Sequence, residues 1–314
     1  MSSDTSRKTL FITGASGCVG QYLLDLLIKD NRYNAYLLVR NPSKLKPEIR
    51  ACERFTIIQA TLGDFDLYKD ALSEADILLH LATSWDGNNM AYTVNVDQSL
   101  RLINSVNRER CKKILYFSTS SILDSNNQPL DFAKQEGTDY VRSKYLCHEK
   151  LPELDVHDRI TTLFPSLIMA ASKDKPVSHV SGGIPQVARW VSIMRFFKAD
   201  GSFHFIHAHD IALITQYLLE NDCDTREIVL GNPVITFNEC IYQFSEFFGK
   251  KVFWQFELTP AIAQSIIKLF NIKMSPWDYY YIKQRHFTYK PIFNPASFGL
   301  KTPFSTLSGI LAEH

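Results

Sequence analysis

The sequence predicts an α/β protein with a doubly wound parallel sheet and a smaller, mainly C-terminal second domain. Short β-branched or aliphatic runs alternate with amphipathic stretches through the first half of the chain. Three spaced glycines stand at the first strand-to-helix junction, and the alternation gives way after about residue 167. At 314 residues the chain has room for two domains sharing a cleft.

Thr9–Thr13 reads as the first strand, Cys18–Asp30 as the helix after it, and Asn34–Val39 as the second strand. Phe55–Gln59, Asp76–Leu81, Lys113–Ser118 and Arg159–Leu163 continue the strand series. Asp66–Leu72, Asn89–Arg108 and Tyr140–Leu151 carry apolar residues at helical spacing. Lys173–Pro185 has no regular period and reads as a loop over a cleft, followed by a helix over Pro185–Phe197. HFIHAHDIALITQYLLE returns to strand and helix, with Asp210 in position to cap the helix. These readings place residues 1–166 and 203–222 in the first domain and 167–202 and 223–314 in the second. The aromatic tail, with Trp254, Trp277, Tyr279, Tyr280, Tyr281, Phe287 and Tyr289, either packs that second domain or lines an apolar pocket.

The composition, 45% hydrophobic and 21% charged, is that of a folded protein. A net charge of +1 gives no general pull toward nucleic acid or a membrane surface, and neither is expected as a partner. The six cysteines are widely separated and read as reduced thiols. Neither a signal-peptide-like stretch nor a membrane-spanning run occurs, so a cytoplasmic location is expected. His204, His207 and His209 cluster, with His207 and His209 on one strand face and His204 on the other. No metal site is expected from them.

In LFITGASGCVGQYLLDLL, Gly14 permits a sharp turn after the strand and Gly17 lets the backbone approach a pyrophosphate. Gly20 lets the helix lie close to the sheet. Placed at this junction the three glycines predict dinucleotide binding and a Rossmann-type sheet. The second strand ends in YLLVRNPSKL, where Arg40 and Lys44 offer donors to a 2′-phosphate, so NADP is the expected cofactor. An exposed arginine stacking on adenine would also suit NAD, which stays the alternative. Further on, YVRSK puts Tyr140 and Lys144 on one helix face, where an ammonium would favour the phenolate of a proton-transferring tyrosine. Thr119, Ser120 and Ser121 lie at the carboxyl end of the preceding strand, where a hydroxyl can hold a substrate oxygen.

Together these motifs resemble the extended branch of the short-chain dehydrogenase/reductase family, which includes nucleotide-sugar epimerases and dehydratases. TGASGCVG resembles its cofactor fingerprint, ADILLHLAT its fourth strand, and NVDQSLRLINSV the following helix with a supporting asparagine, Asn95. FSTSSILD, YVRSK and FHFIHAHDIA match its serine/threonine strand, catalytic helix and returning strand. The resemblance implies that Tyr140 exchanges a proton with the substrate hydroxyl, that Thr119 or alternatively Ser120 orients that oxygen, and that Lys144 holds the nicotinamide ribose. It also implies cofactor contacts from Ser16, Cys18, Val19, Leu62, Leu81, Ala82, Thr83, Pro165 and Leu167, beside Gly14, Gly17 and Arg40. A homodimer through a four-helix interface is a further implication.

Departures from the family pattern sort the reaction. Thr61 replaces an adenine-side aspartate, and Asp124 and Phe164 are unusual residues expected near the substrate entrance. Thr119-Ser120-Ser121 lacks the acid and base that the sugar dehydratases place there. No Arg-Tyr-Phe-Asn run follows the sixth strand, and Arg285 is the obvious C-terminal candidate for a substrate diphosphate. The expected function is therefore NADP(H)-dependent interconversion of a carbonyl and an alcohol on a small, largely apolar or uncharged molecule. An epimerase with tightly bound NAD and a non-catalytic cofactor-binding sensor are the alternatives.

Overall fold

The computed structural model of the chain describes residues 7–313 apart from 88, 171, 173, 179–190, 260, 263 and 266–272. Its sheet-forming half begins with β1 (Lys8–Thr13), α1 (Cys18–Leu27) and β2 (Tyr33–Val39), followed by the short α2 (Pro47–Arg50). Next come β3 (Phe55–Gln59), α3 (Lys69–Ser73), β4 (Ile77–His80), α4 (Met90–Tyr92) and α5 (Ser99–Asn104). Then follow β5 (Lys113–Phe117), α6 (Asp131–Glu136), α7 (Asp139–Lys150) and β6 (Ile160–Pro165). The predicted helix over 89–108 thus becomes α4, a wide π-helical stretch over Thr93–Gln98, and α5.

Seven strands form one parallel sheet in the order β11-β6-β5-β4-β1-β2-β3, where β11 is Glu227–Leu230. The chain starts in the middle and winds outward both ways, the Rossmann-type arrangement, so strand ends diverge on either side of β1 and leave a crevice. Alternation along β1 supplies both cores. Leu10 and Ile12 pack with Leu23 and Leu27 of α1 and with Ile211, Ile214 and Leu218 of the helix Ala208–Glu220. Phe11 faces the opposite layer with Leu102, Ile103, Ile114 and Tyr116.

The remaining strands are short: β7 (Leu167–Met169), β8 (Phe197–Lys198), β9 (Ser202–Phe203), β10 (Phe205–His207), β12 (Ile235–Thr236), β13 (Phe256–Glu257) and β14 (His286–Phe287). They pair as β7 with β10, β8 with β13, and β9 with both β12 and β14. Met169, Phe205, Ile235 and Phe244 pack with Leu307, Ile310 and Leu311 beneath this region.

Several expectations are corrected. Residues 227–230, assigned by sequence to the second domain, pair in parallel with β6 as the edge of the large sheet. Phe203 belongs to the small β9-β12-β14 sheet, so the return toward the first domain starts at Phe205. Asp210 does not cap the helix Ala208–Glu220; His207 ends β10 in extended conformation and its side chain accepts from the His209 amide. Asp210 is instead the third helical residue, fully buried, and accepts a hydrogen bond from Thr302. His209, being helical, shares no strand face with His207. Of the predicted helix 185–197, residues 185–190 lie outside the described residues, 191–194 are helical, and Phe197 opens β8.

Candidate active site

A cavity of about 1750 Å³ runs along the carboxyl ends of the sheet strands. All the candidate residues line it: Gly14, Ser16, Gly17, Cys18 and Val19 at the start of α1, and Arg40 and Leu62 after β2 and β3. Leu81, Ala82 and Thr83 follow β4, Thr119 and Ser120 follow β5, Tyr140 and Lys144 project from α7, and Pro165 and Leu167 lie around the end of β6. The described part of the predicted loop, residues 174–178, forms another wall. Lys46 pairs with its Asp174 at 2.6 Å, while Lys175 reaches Asp25 of α1 at 2.9 Å.

The glycine turn has little slack. Gly14 has φ +72°, and a Cβ there would stand 2.6 Å from the Ala82 nitrogen; one on Gly20 would stand 2.3 Å from the Gly14 oxygen. Gly17 caps α1 without any side-chain hydrogen bond, and the first turn holds no acidic residue. First-turn amides are therefore available to an anion, and the cradle fits a pyrophosphate. Cys18, half-buried beside this turn, has its thiol pushed up to about 12, first by burial and then by Glu313. It stays protonated and is no nucleophile. Arg40 and Lys44 are exposed at the open end of the cavity.

Two buried networks hold the turn after β4. Ser99 donates to the Val94 carbonyl at 2.8 Å, so its oxygen accepts from His80 Nε2 at 2.8 Å. His80 Nδ1 then accepts from the Thr13 hydroxyl, whose oxygen accepts from the Ala82 amide. This order makes His80 neutral, consistent with a pKa pushed down to about 3 by burial and the nearby Lys144. Asn95, completely buried in the π-helical stretch, uses its whole amide. Its oxygen accepts from Thr83 Oγ1 and the Ser84 amide, while its nitrogen donates to the Ser84 carbonyl and Ser143 Oγ. Ser143 donates in turn to the Tyr140 carbonyl at 2.9 Å, joining the β4 turn to the candidate catalytic helix.

The hydroxyl side chains after β5 separate by partner. Thr119 lowers the pKa of the Tyr140 phenol, Ser120 that of Tyr289 and Ser121 that of Tyr281, while Thr119 donates to Ser121 Oγ at 3.3 Å. Burial raises the Tyr140 pKa, and the opposing effect comes from Thr119. Lys144, 1% exposed, donates to the Phe117 carbonyl at 2.7 Å and lies 3.5 Å from the Tyr116 hydroxyl. Its own pKa is pushed down to about 8 by burial.

Trp85, which the sequence reading missed, stacks on Tyr140 with ring centroids 3.6 Å apart and planes 14° from parallel. Its one sequence signal was its place just beyond β4, at the carboxyl edge of the sheet. Phe203, His204 and Phe237 were missed too, and line the cavity with Trp277, Tyr281, Phe287 and Tyr289. Other members of the aromatic tail have different places: Tyr280 stacks on Phe132 at 4.9 Å, and Trp254 is exposed.

Two unusual residues are not at the substrate entrance. Phe164 is completely buried with its ring against His148, and the Asp124 carboxylate accepts from the amides of Asn126 and Gln128 to close a turn. Thr61 does line the cavity, its hydroxyl donating to Asp64 at 2.6 Å. Arg285 is absent from the described lining and pairs with Asp200 at 2.6 Å. No group of three or more potential metal ligands occurs among the described residues, and none of their helices is long and apolar enough to cross a membrane.

Residues 10–231 match the NAD dependent epimerase/dehydratase family. An uncharacterized UDP-glucose epimerase, YtcB of Bacillus subtilis (strain 168), is 27% identical over 164 residues, 44% of this chain and 50% of the relative. The match thus spans about half the length of that relative. Among solved structures, vestitone reductase from alfalfa superposes with a TM-score of 0.65 at 17% identity, over 98% of this chain and 96% of that one. A dTDP-glucose 4,6-dehydratase from Bacillus anthracis in complex with NAD gives 0.64 at 12% identity, over 98% and 94%. At these identities the two structures establish likeness of fold.

Proposed function

The chain belongs to the NAD dependent epimerase/dehydratase family, and on that premise we propose that it is an NADP(H)-dependent oxidoreductase interconverting a carbonyl and an alcohol on a small, largely apolar or uncharged molecule. A bound nicotinamide would supply or accept the hydride. Gly14, Ser16, Gly17, Cys18 and Val19 hold the pyrophosphate, Arg40 the 2′-phosphate, and Lys144 the ribose hydroxyls. Leu62, Leu81, Ala82, Thr83, Pro165 and Leu167 complete the cofactor wall. Tyr140 gives or takes the hydroxyl proton while Thr119 orients the oxygen, a choice over Ser120 supported by Thr119 being the hydroxyl that lowers the Tyr140 pKa, whereas Ser120 acts on Tyr289.

One observation carries the substrate class. Every lysine and arginine among the described lining residues, Arg40, Lys44, Lys144 and Lys175, has a cofactor-side place, while Trp85, Trp277, Tyr281, Phe287 and Tyr289 line the rest. Among the described residues a nucleotide-sugar diphosphate would find no cationic partner there, whereas an uncharged ring or chain would bury apolar surface. The similarity to a UDP-glucose epimerase keeps epimerisation as the second reading. Titration with NADPH and NADH, followed by a stereochemically resolved screen of ketones, alcohols and nucleotide sugars, separates the two. Net cofactor oxidation supports the reductase; inversion of a sugar centre without cofactor consumption supports the epimerase.

Arg40→Ala should weaken NADPH binding by about tenfold or more, the worth of a charge-assisted contact, and NADH binding by less than about twofold. Equal losses in a fluorescence titration would remove the NADP preference. Trp85→Ala should admit water to Tyr140 and lower a phenol pKa that burial holds up. Oxidation requires phenolate, so the rise of its rate with pH should begin at lower pH than in the wild type; reduction requires phenol, so the fall of its rate with rising pH should also begin at lower pH. Trp85→Phe should restore the original profile. Superimposable pH profiles for Trp85→Ala and the wild type would show that the indole does not set the phenol's acidity.

A further inference from the structure

Away from the cleft, aromatic and basic side chains emerge together. The helix Phe237–Phe247 is terminated at Gly249, whose φ of +64° turns the chain outward into KKVFWQF. Phe253, Trp254 and Phe256 are 75%, 56% and 58% exposed. Scattered apolar residues at a surface need no explanation, but these form one cluster. Trp254 meets Phe256 edge-on at 4.6 Å and lies 5.5 Å from Phe196, while the nearby Ile193 and Met194 are also exposed. The β8-β13 pair beneath is two strands wide and gives them no cover.

The charges are mainly positive. The Arg195 guanidinium sits over the Phe196 ring at 4.6 Å and donates to the Lys251 carbonyl at 2.9 Å, tying the two stretches together. Lys250 and Lys251 are exposed beside the aromatics, and Lys198 lies 3.9 Å from Glu257, the carboxylate on the same ribbon. Lysine is depleted from the apolar centre of protein interfaces. Interleaved with Trp and Phe, it suits a bilayer surface, where aromatic rings sit at headgroup level and lysine stems extend toward anionic lipid.

We propose that this patch docks the protein peripherally on an anionic lipid surface. The net charge of +1 predicts no such attraction because it averages over the whole chain, whereas four cations gather here. Three residues separate β8 from β9, whose Phe203 lines the cavity. The binding is independent of the proposed reaction.

Sedimentation with vesicles tests it without cofactor or substrate. The wild-type chain should bind vesicles of mixed phosphatidylcholine and phosphatidylglycerol, release with salt, and bind phosphatidylcholine alone much more weakly. A Phe253→Ser, Trp254→Ser, Phe256→Ser variant and a Lys250→Glu, Lys251→Glu variant should each lose about tenfold or more in partitioning while keeping the wild-type thermal midpoint. Brominated lipid should quench wild-type tryptophan emission more than that of Trp254→Phe. The proposal is overturned by absence of binding to mixed vesicles, by unchanged binding of the two multiple variants, or by a wild-type dimer in size-exclusion chromatography that the aromatic variant dissociates.

Discussion

Tyr140→Phe should lower turnover by about a thousandfold while changing cofactor affinity by less than about twofold, because general acid–base catalysis contributes on this scale. The substitution removes one oxygen. It leaves the ring that stacks on Trp85 and the Ser143–Asn95 link, which engages the Tyr140 backbone. Water is a poor replacement, since the phenol is buried enough for its pKa to be raised. A steady-state assay beside a cofactor titration reads both quantities. Turnover near wild type would remove Tyr140 from the chemistry; loss of cofactor binding alongside activity would indicate a structural effect instead.

Gly14→Ala should cost about 2–5 kcal/mol, combining left-handed strain with a backbone clash. The new Cβ would stand 2.6 Å from the Ala82 nitrogen and 2.7 Å from the Leu81 carbonyl carbon, and neither can move as a side-chain end could. Relief requires the glycine turn to separate from the β4 turn, which the His80 and Asn95 networks oppose. Cofactor affinity should therefore fall along with stability. Gly249→Ala provides a control, because Gly249 also has positive φ, +64°, but its Cβ would meet nothing within 4 Å. That variant should lose only about 1–2 kcal/mol and bind cofactor normally. Denaturant unfolding and NADPH titration of both variants check the comparison; equal behaviour would show that the close approach at Gly14 does not matter.

Much of the fold was legible because its signals are local. The sheet strands are short apolar runs, and the glycines at 14, 17 and 20 identify the first junction without knowledge of anything distant. The edge strand Glu227–Leu230 was missed because four residues beside a predicted substrate domain carry no mark of their partner, Thr162–Pro165. Asp210 failed as a cap for a related reason: the strand runs to His207, and the boundary is set by its pairing with β7. The candidate residues drawn from the glycine turn, YVRSK and the family resemblance all came to one cavity. What stayed hidden was contact between remote segments. Trp85 over Tyr140 joins residues far apart in sequence, Phe164 turned inward from a cavity-lining strand, and the aromatic tail divided between cavity, core and surface according to tertiary packing.

The central claim is that Tyr140 and Thr119 hold a substrate oxygen beside a bound nicotinamide. The direct test is a reaction with NADPH deuterated at C4, each stereoisomer in turn, and an uncharged ketone identified by the screen. Product mass and cofactor oxidation are followed together in wild type and Tyr140→Phe. The account predicts one deuterium on the carbinol carbon for each NADPH oxidised, from one stereoisomer only, with the rate collapsing in the variant. Failure of the wild-type protein to bind either NADPH or NADH would contradict it.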